Sequence, residues 1–225
     1  SLIRVPGGYD TNSTRAIAVE QTHNRSGGTV IPLDTLRQLR DLCDRYGLGL
    51  HCDGARLWNA HVATGVPLST YGELFDSVSV CLSKGLGAPV GSVLVSNRAA
   101  IDRGRVIRKR LGGGMRQAGI IAAGGLHALR HHIPRLAEDH AHAARLASAL
   151  APTGVVDADA VGTNIVPLDL TKTALDAAGL AAAARERGVL ISQVTPRTAR
   201  LVTHMDVDSA GVDRAAEVLG DLLLR

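Results

Sequence analysis

Aromatic side chains are nearly absent: one Trp, three Tyr and one Phe in 225 residues. That leaves few platforms on which a nucleic-acid base could stack. The 25 basic residues are dispersed among 21 acidic ones, so the net charge of +4 forms no stripe of the kind that tracks a phosphate backbone. Nucleic acid is therefore excluded as an expected partner. No run approaches the roughly 18–20 apolar residues that cross a bilayer, so a membrane-spanning reading fails and no membrane partner is expected. Cys43, Cys52 and Cys81 make no CxxC pair, so neither a disulfide framework nor a zinc site is indicated. The expected compartment is a reducing cytoplasm. What is abundant, 45% hydrophobic and 20% charged residues, describes a globular chain long enough for one large domain or two smaller ones. The opening SLIRVPGG has no initiating Met and no targeting pattern. The expectation is a chain that begins part-way through a longer one.

Period and punctuation predict an α/β organisation. Arg15 to Val19 reads as a short buried strand. Leu33, Leu36, Leu39 and Leu42 recur at helical spacing, with Pro32 before them and Gly47 just beyond Tyr46, so a helix is expected over 33–46. Strands are expected over 48–53, 76–83 and 91–96, and strand–helix alternation places working groups on loops at strand ends. After Gly114 an Ala- and Leu-rich helical stretch runs to about Leu150, interrupted near Pro134. GTNIVPLDL, a helix over 173–187, VLISQV, ARLVTHM and a helix from Ser209 then form a smaller α/β unit. The expected division lies within 112–151 and is drawn as 1–120 and 121–225.

Lysine is scarce, limited to Lys84, Lys109 and Lys172. Lys84 stands out because it follows an apolar strand in SKGLGAPVGS, where small residues let a flat ligand approach the backbone. Shielded from water there, its amine pKa would fall and it could form an imine with an aldehyde cofactor; the plain alternative is a surface lysine in a glycine-rich turn. HCDGAR, at the preceding strand end, offers Asp53 to hold a pyridine nitrogen protonated and Arg56 to donate to a ring oxygen. Its alternative is a local pair at a helix start. An acid, an arginine and an isolated lysine at consecutive strand ends favour the cofactor reading. His23, in EQTHN, falls at a strand end facing the same cleft, as a supporting residue or as a base. His131, His132, His140 and His142 lie on the long helical stretch at spacings that gather no metal set, and solvated side chains are expected.

EQTHNRSGGTVIPLDTL, HCDGARLWNA, DSVSVCLSKGLGAPVGS, RKRLGGGMRQAG and RLVTHMDVD, in this order from about residue 13 onward, resemble the signatures of low-specificity L-threonine aldolases. The resemblance implies the aspartate-aminotransferase fold (fold type I), a mostly parallel sheet with helices plus a smaller C-terminal α/β domain. It implies pyridoxal 5'-phosphate as cofactor, with Lys84 as the Schiff-base lysine, Asp53 on the pyridinium nitrogen and Arg56 on the phenolic oxygen. Arg200 corresponds to the arginine that holds the substrate carboxylate. Arg116 and Lys109 correspond to a loop near the cofactor phosphate and a neighbouring subunit. The implied assembly is a homotetramer, and the implied reaction is cleavage of L-threonine or L-allo-threonine to glycine and acetaldehyde. Another β-hydroxy-amino-acid aldolase, a β-eliminating lyase of the same fold, or an inactive fragment are the alternatives.

Two departures from the family pattern matter. Nothing in the sequence corresponds to the upstream small-residue turn that binds the phosphate, nor to the histidine that stacks on the ring. A further family histidine aligns with Asp10. An N-terminally truncated enzyme is expected, one that alone binds cofactor weakly and aggregates through exposed apolar edges.

Overall fold

The computed structural model describes residues 3–4 and 12–224. Asp10 lies outside the described residues. The first unit runs β1 (Ala16–Glu20), α1 (Leu33–Tyr46), β2 (Gly49–Gly54), α2 (Leu57–Thr64), α3 (Leu68–Leu74), β3 (Ser77–Cys81), β4 (Ser92–Ser96) and α4 (Arg98–Arg110). Next come α5 (Gly119–His131) and α6 (Leu136–Leu150). The chain finishes with β5 (Ile165–Asp169), α7 (Ala177–Glu186), β6 (Ser192–Thr195), β7 (Thr198–Val202) and α8 (Ser209–Leu223).

Among the described residues these strands form two separate sheets. Strands β1, β2 and β3 are parallel neighbours in that order, and β4 closes the edge antiparallel to β3. The second sheet is antiparallel in the order β5-β7-β6. Parallel neighbours need a crossover connection, which α1 and the α2–α3 pair supply. Helix α1 buries Leu36 and Cys43 and stops at Gly47, whose φ of 62° is the left-handed conformation that glycine adopts most readily. Polar caps set the starts of three others: Asn97, Asp176 and Asp208 each accept a backbone N–H of the first turn of α4, α7 and α8.

Three apolar clusters hold these elements. Leu36, Leu50, Tyr71 and Val78 belong to the one between α1–α3 and the parallel strands. Leu146, Val166, Leu180 and Leu219 belong to the one joining α6, α7 and α8 to the second sheet. A small third cluster, Leu82, Leu86, Ala88, Ala128 and Leu136, lies under the loop after β3 and ties it to α5 and the start of α6. The outer edge is different: Val93, Leu94 and Val95 of β4 are 42–50% exposed.

The helical stretch after Gly114 is broken at 132–135, as Pro134 predicts. Its histidines correct the sequence reading. His132 Nδ1 lies 2.6 Å from the Leu86 carbonyl, and His140 is half-buried with Nε2 3.1 Å from Asn59 Nδ2. The break redirects α6 across α2, so part of the face expected in solvent packs inward.

Candidate active site

The parallel register places the C-terminal ends of three strands side by side, pairing Glu20 with Asp53 and Asp53 with Ser79. In open α/β sheets this is the end at which ligands bind. Asp53 is exposed, and its Oδ1 accepts the Ala55 N–H at 3.1 Å, which fixes the carboxylate where β2 turns into α2. Arg56 follows as the residue capping α2.

Lys84 sits on the loop after β3, where Gly87 N–H donates to its carbonyl at 2.8 Å. Its side chain is exposed. The shielding expected from sequence is therefore not supplied by the described residues: Leu86 and Ala88 turn into the core while Lys84 faces outward.

Beyond β1 the chain makes a tight loop held by Gln21. This buried carboxamide donates to the Ile31 carbonyl at 3.1 Å and accepts the Ile31 N–H at 2.9 Å. Within the loop, His23 Nδ1 is hydrogen-bonded to the Ser26 hydroxyl, and its Nε2 lies 3.6 Å from Glu20 Oε2. Glu20 also accepts the Asn24 N–H at 3.1 Å.

Arg200 arrives from the second sheet. It is paired with Pro167 in the β5–β7 register and is half-buried. Its Nη1 donates to Asn24 Oδ1, while its buried Nε has no partner among the described residues. Arg200 and Arg56 lie close enough for their charges to interact. Burial, and next the positive charge of Arg200, push the Arg56 guanidinium below its ordinary pKa, against the opposing pull of Glu20, Cys81 and Asp53. Two guanidiniums whose charges interact, one with a buried N–H unpaired among the described residues, make a setting suited to an anionic oxygen. Arg200 also lines a cavity of about 260 Å³ with Asn24, Arg25, Pro167 and Gln193. A larger one, about 370 Å³ between β7 and α8, contains none of these groups.

Asp53, Arg56, His23 and Lys84 thus lie at or just beyond the same end of the parallel strands, and Arg200 reaches the loop after β1 through Asn24. Arg116 does not join them: it is exposed in the turn between α4 and α5, and Lys109 is exposed near the end of α4. Glu20 and Asn24 were not singled out by sequence reasoning. Both stand in the EQTHN motif, which was the available signal.

The fold is that of threonine aldolases and of aminotransferases. It matches a threonine aldolase of Leishmania major with a TM-score of 0.79 at 20% identity, over 96% of this chain and 64% of that one. It matches N-acetylornithine aminotransferase of Stenotrophomonas maltophilia with a TM-score of 0.66 at 20% identity, over 93% and 57% of the two chains. Residues 1–173 match the beta-eliminating lyase family, and the chain belongs to that family. It is 41% identical to low-specificity L-threonine aldolase 1 of Arabidopsis thaliana over 203 residues, 89% of this chain and 57% of that protein. It is 43% identical to the low specificity L-threonine aldolase of Escherichia coli K12 over 194 residues, 86% and 56% of the two. The chain therefore spans little more than half the length of these relatives.

Proposed function

We propose that the whole protein catalyses retro-aldol cleavage of L-threonine or L-allo-threonine to glycine and acetaldehyde, with pyridoxal 5'-phosphate as cofactor. The observation that carries this reading is that Asp53, Arg56 and Lys84 follow adjacent strand ends, with the charge of Arg200 from the second sheet acting on Arg56. Similarity to aldolases in plants and bacteria supports it.

The residues fit the ring end of such a cofactor. The Lys84 amine would hold it covalently, Asp53 would keep a proton on the ring nitrogen, and Arg56 would donate to the ring oxygen. Bound in this way, the cofactor supplies an electron sink for the pair released when Cα–Cβ breaks. Arg200 grips the substrate α-carboxylate, its unpartnered Nε adding a second donor in the planar fork. That grip would fix the orientation of the bonds at Cα. His23, with Glu20 beside its Nε2, takes the β-hydroxyl proton directly or through a water. We assign the phosphate to Arg116, which a homotetramer with shared sites would bring to a neighbouring subunit, with residues 1–120 as part of the cofactor-binding unit and 121–225 as the connecting helix and small unit. A cytoplasmic role in threonine breakdown and glycine supply follows from the same reading. For the 225 residues alone, exposed Lys84 favours weak cofactor binding, and the half-exposed apolar residues of β4 favour aggregation.

The test begins with borohydride reduction of the intact protein and of this chain in the presence of pyridoxal phosphate, followed by peptide mapping. Selective labelling of Lys84 in the intact protein is the expected result. The Lys84→Ala substitution should abolish cleavage of threonine, allo-threonine and β-phenylserine assayed side by side; near-normal turnover would sink the assignment.

A further inference from the structure

Three parts of the proposed site are delivered by elements distant in sequence: Arg56 by α2, Lys84 by the loop after β3, and Arg200 by β7. One buried side chain adjoins the structure leading to all three. Asn59, one helical turn beyond Arg56 on α2, is 2% exposed. Its Nδ2 donates to Asn164 Oδ1 at 3.3 Å and to His140 Nε2 at 3.1 Å, which uses both amide hydrogens.

From Asn164 the connection continues to β7. Asn164 Nδ2 donates to the Thr203 carbonyl at 3.0 Å, and Thr203 N–H donates to the Asn164 carbonyl at 3.1 Å. The Thr203 hydroxyl in turn donates to the Asp139 carbonyl at 2.6 Å, anchoring the pair to α6. Thr203 lies three residues beyond Arg200. On the other side, a Cβ at Gly85 would sit 3.6 Å from Asn59 Oδ1 and 2.8 Å from Leu136 Cδ2. The backbone next to Lys84 therefore lies beside Asn59, while the crowding that favours a glycine there comes from Leu136.

A leucine, with the same branching and number of side-chain heavy atoms, would bury more apolar surface, whereas a buried carboxamide is tolerated only when its bonds are made. What the carboxamide adds is direction. Arg56 and Arg200 carry like charges and repel, so their separation has to be imposed by the surrounding structure. The Asn59–Asn164–Thr203 chain of hydrogen bonds links the helix of one arginine to the strand of the other.

We propose that Asn59 is a positioning residue that sets the separation of Arg56 and Arg200, and with it the fit of the substrate carboxylate. This rests on the aldolase reading above. Asn59 touches neither substrate nor cofactor and acts through the two arginines.

The test uses the full-length protein loaded with pyridoxal phosphate. In Asn59→Leu, the KM for threonine and the dissociation constant for glycine, measured by titration calorimetry without turnover, should both rise about tenfold, while kcat changes by less than about threefold. Asn164→Leu should give the same rise, and the double variant no further rise, because both break one connection. Where a leucine variant fails to fold, Asn59→Asp, which keeps the volume and loses the donor, is judged by the same split. Folded variants with unchanged KM and glycine affinity overturn the proposal, as do effects that multiply in the double variant. A wild type that binds glycine but cleaves no threonine sinks the aldolase reading and leaves this test standing. A wild type that cleaves threonine, with variants indistinguishable from it, sinks only the positioning role.

Discussion

The indole nitrogen of Trp58 donates a hydrogen bond to the carbonyl of Cys81 across 2.9 Å. It joins the first turn of α2 to the last residue of β3, and so the element that follows Asp53 to the one that precedes Lys84. Replacing it with Phe preserves most of the packing but leaves that carbonyl without its donor. Trp58→Phe should lower stability by about 1–2 kcal/mol. Chemical denaturation followed by circular dichroism measures this, and an unchanged midpoint would show that the bond contributes nothing net.

Burial pushes the His140 ring below the ordinary histidine pKa. Between the folded and unfolded values the folded chain binds fewer protons, so stability is complete above the unfolded value of about 6.5 and declines as pH falls toward the folded one. Melting temperature should therefore drop on acidification through this window. In His140→Gln that part of the pH dependence should disappear, and a variant that keeps the full slope would place its origin elsewhere.

The three thiols should differ in reactivity. Burial, with the Asp53 charge adding to it, pushes the Cys52 thiol up to about 12, and burial raises Cys43 as well. At Cys81 burial acts in the same direction, but hydrogen bonds from the Ser83 hydroxyl and N–H, with the nearby Lys84 charge, outweigh it and bring the pKa down. Because the thiolate is the reactive form, limited alkylation of the folded chain should modify Cys81 first. Mass spectrometry of the labelled peptides gives the order, and equal labelling of all three would contradict it.

Strand β4 exposes Val95 at 50% and Leu94 at 47% and is an edge strand of the sheet among the described residues. Such an edge is a template for pairing with another chain, and a charge on it opposes that pairing. Val95→Lys should reduce concentration-dependent light scattering by this chain. Undiminished scattering would mean that association uses a different surface.

The parts of the fold legible in the sequence were those with clean punctuation. Helix α1 runs from Leu33 to Tyr46 as its leucine spacing and the Pro32 and Gly47 boundaries predict. Helix α2 entered only as a helix start beside Asp53 and Arg56, without bounds, because Leu57, Asn59 and Ala60 are all buried and its apolar residues form no single stripe. Helix α4 escaped for the opposite reason: it is rich in arginine and buries nothing among the described residues. At the site, strand-and-loop alternation was enough to put Asp53, Arg56 and Lys84 at one end of a sheet. The contact between Arg200 and Asn24 spans 176 positions and leaves no trace in local pattern. Asn59 did leave one, a carboxamide in an otherwise apolar segment, whose meaning depends on what surrounds it.

The proximity of Arg56 and Arg200 couples ligand affinity to conformational stability. Relief of their repulsion is open to the native chain alone, since unfolding separates the two charges by itself. An anion settling between them therefore enters the folding equilibrium as a term on the native side, and its concentration shifts the temperature at which the protein melts.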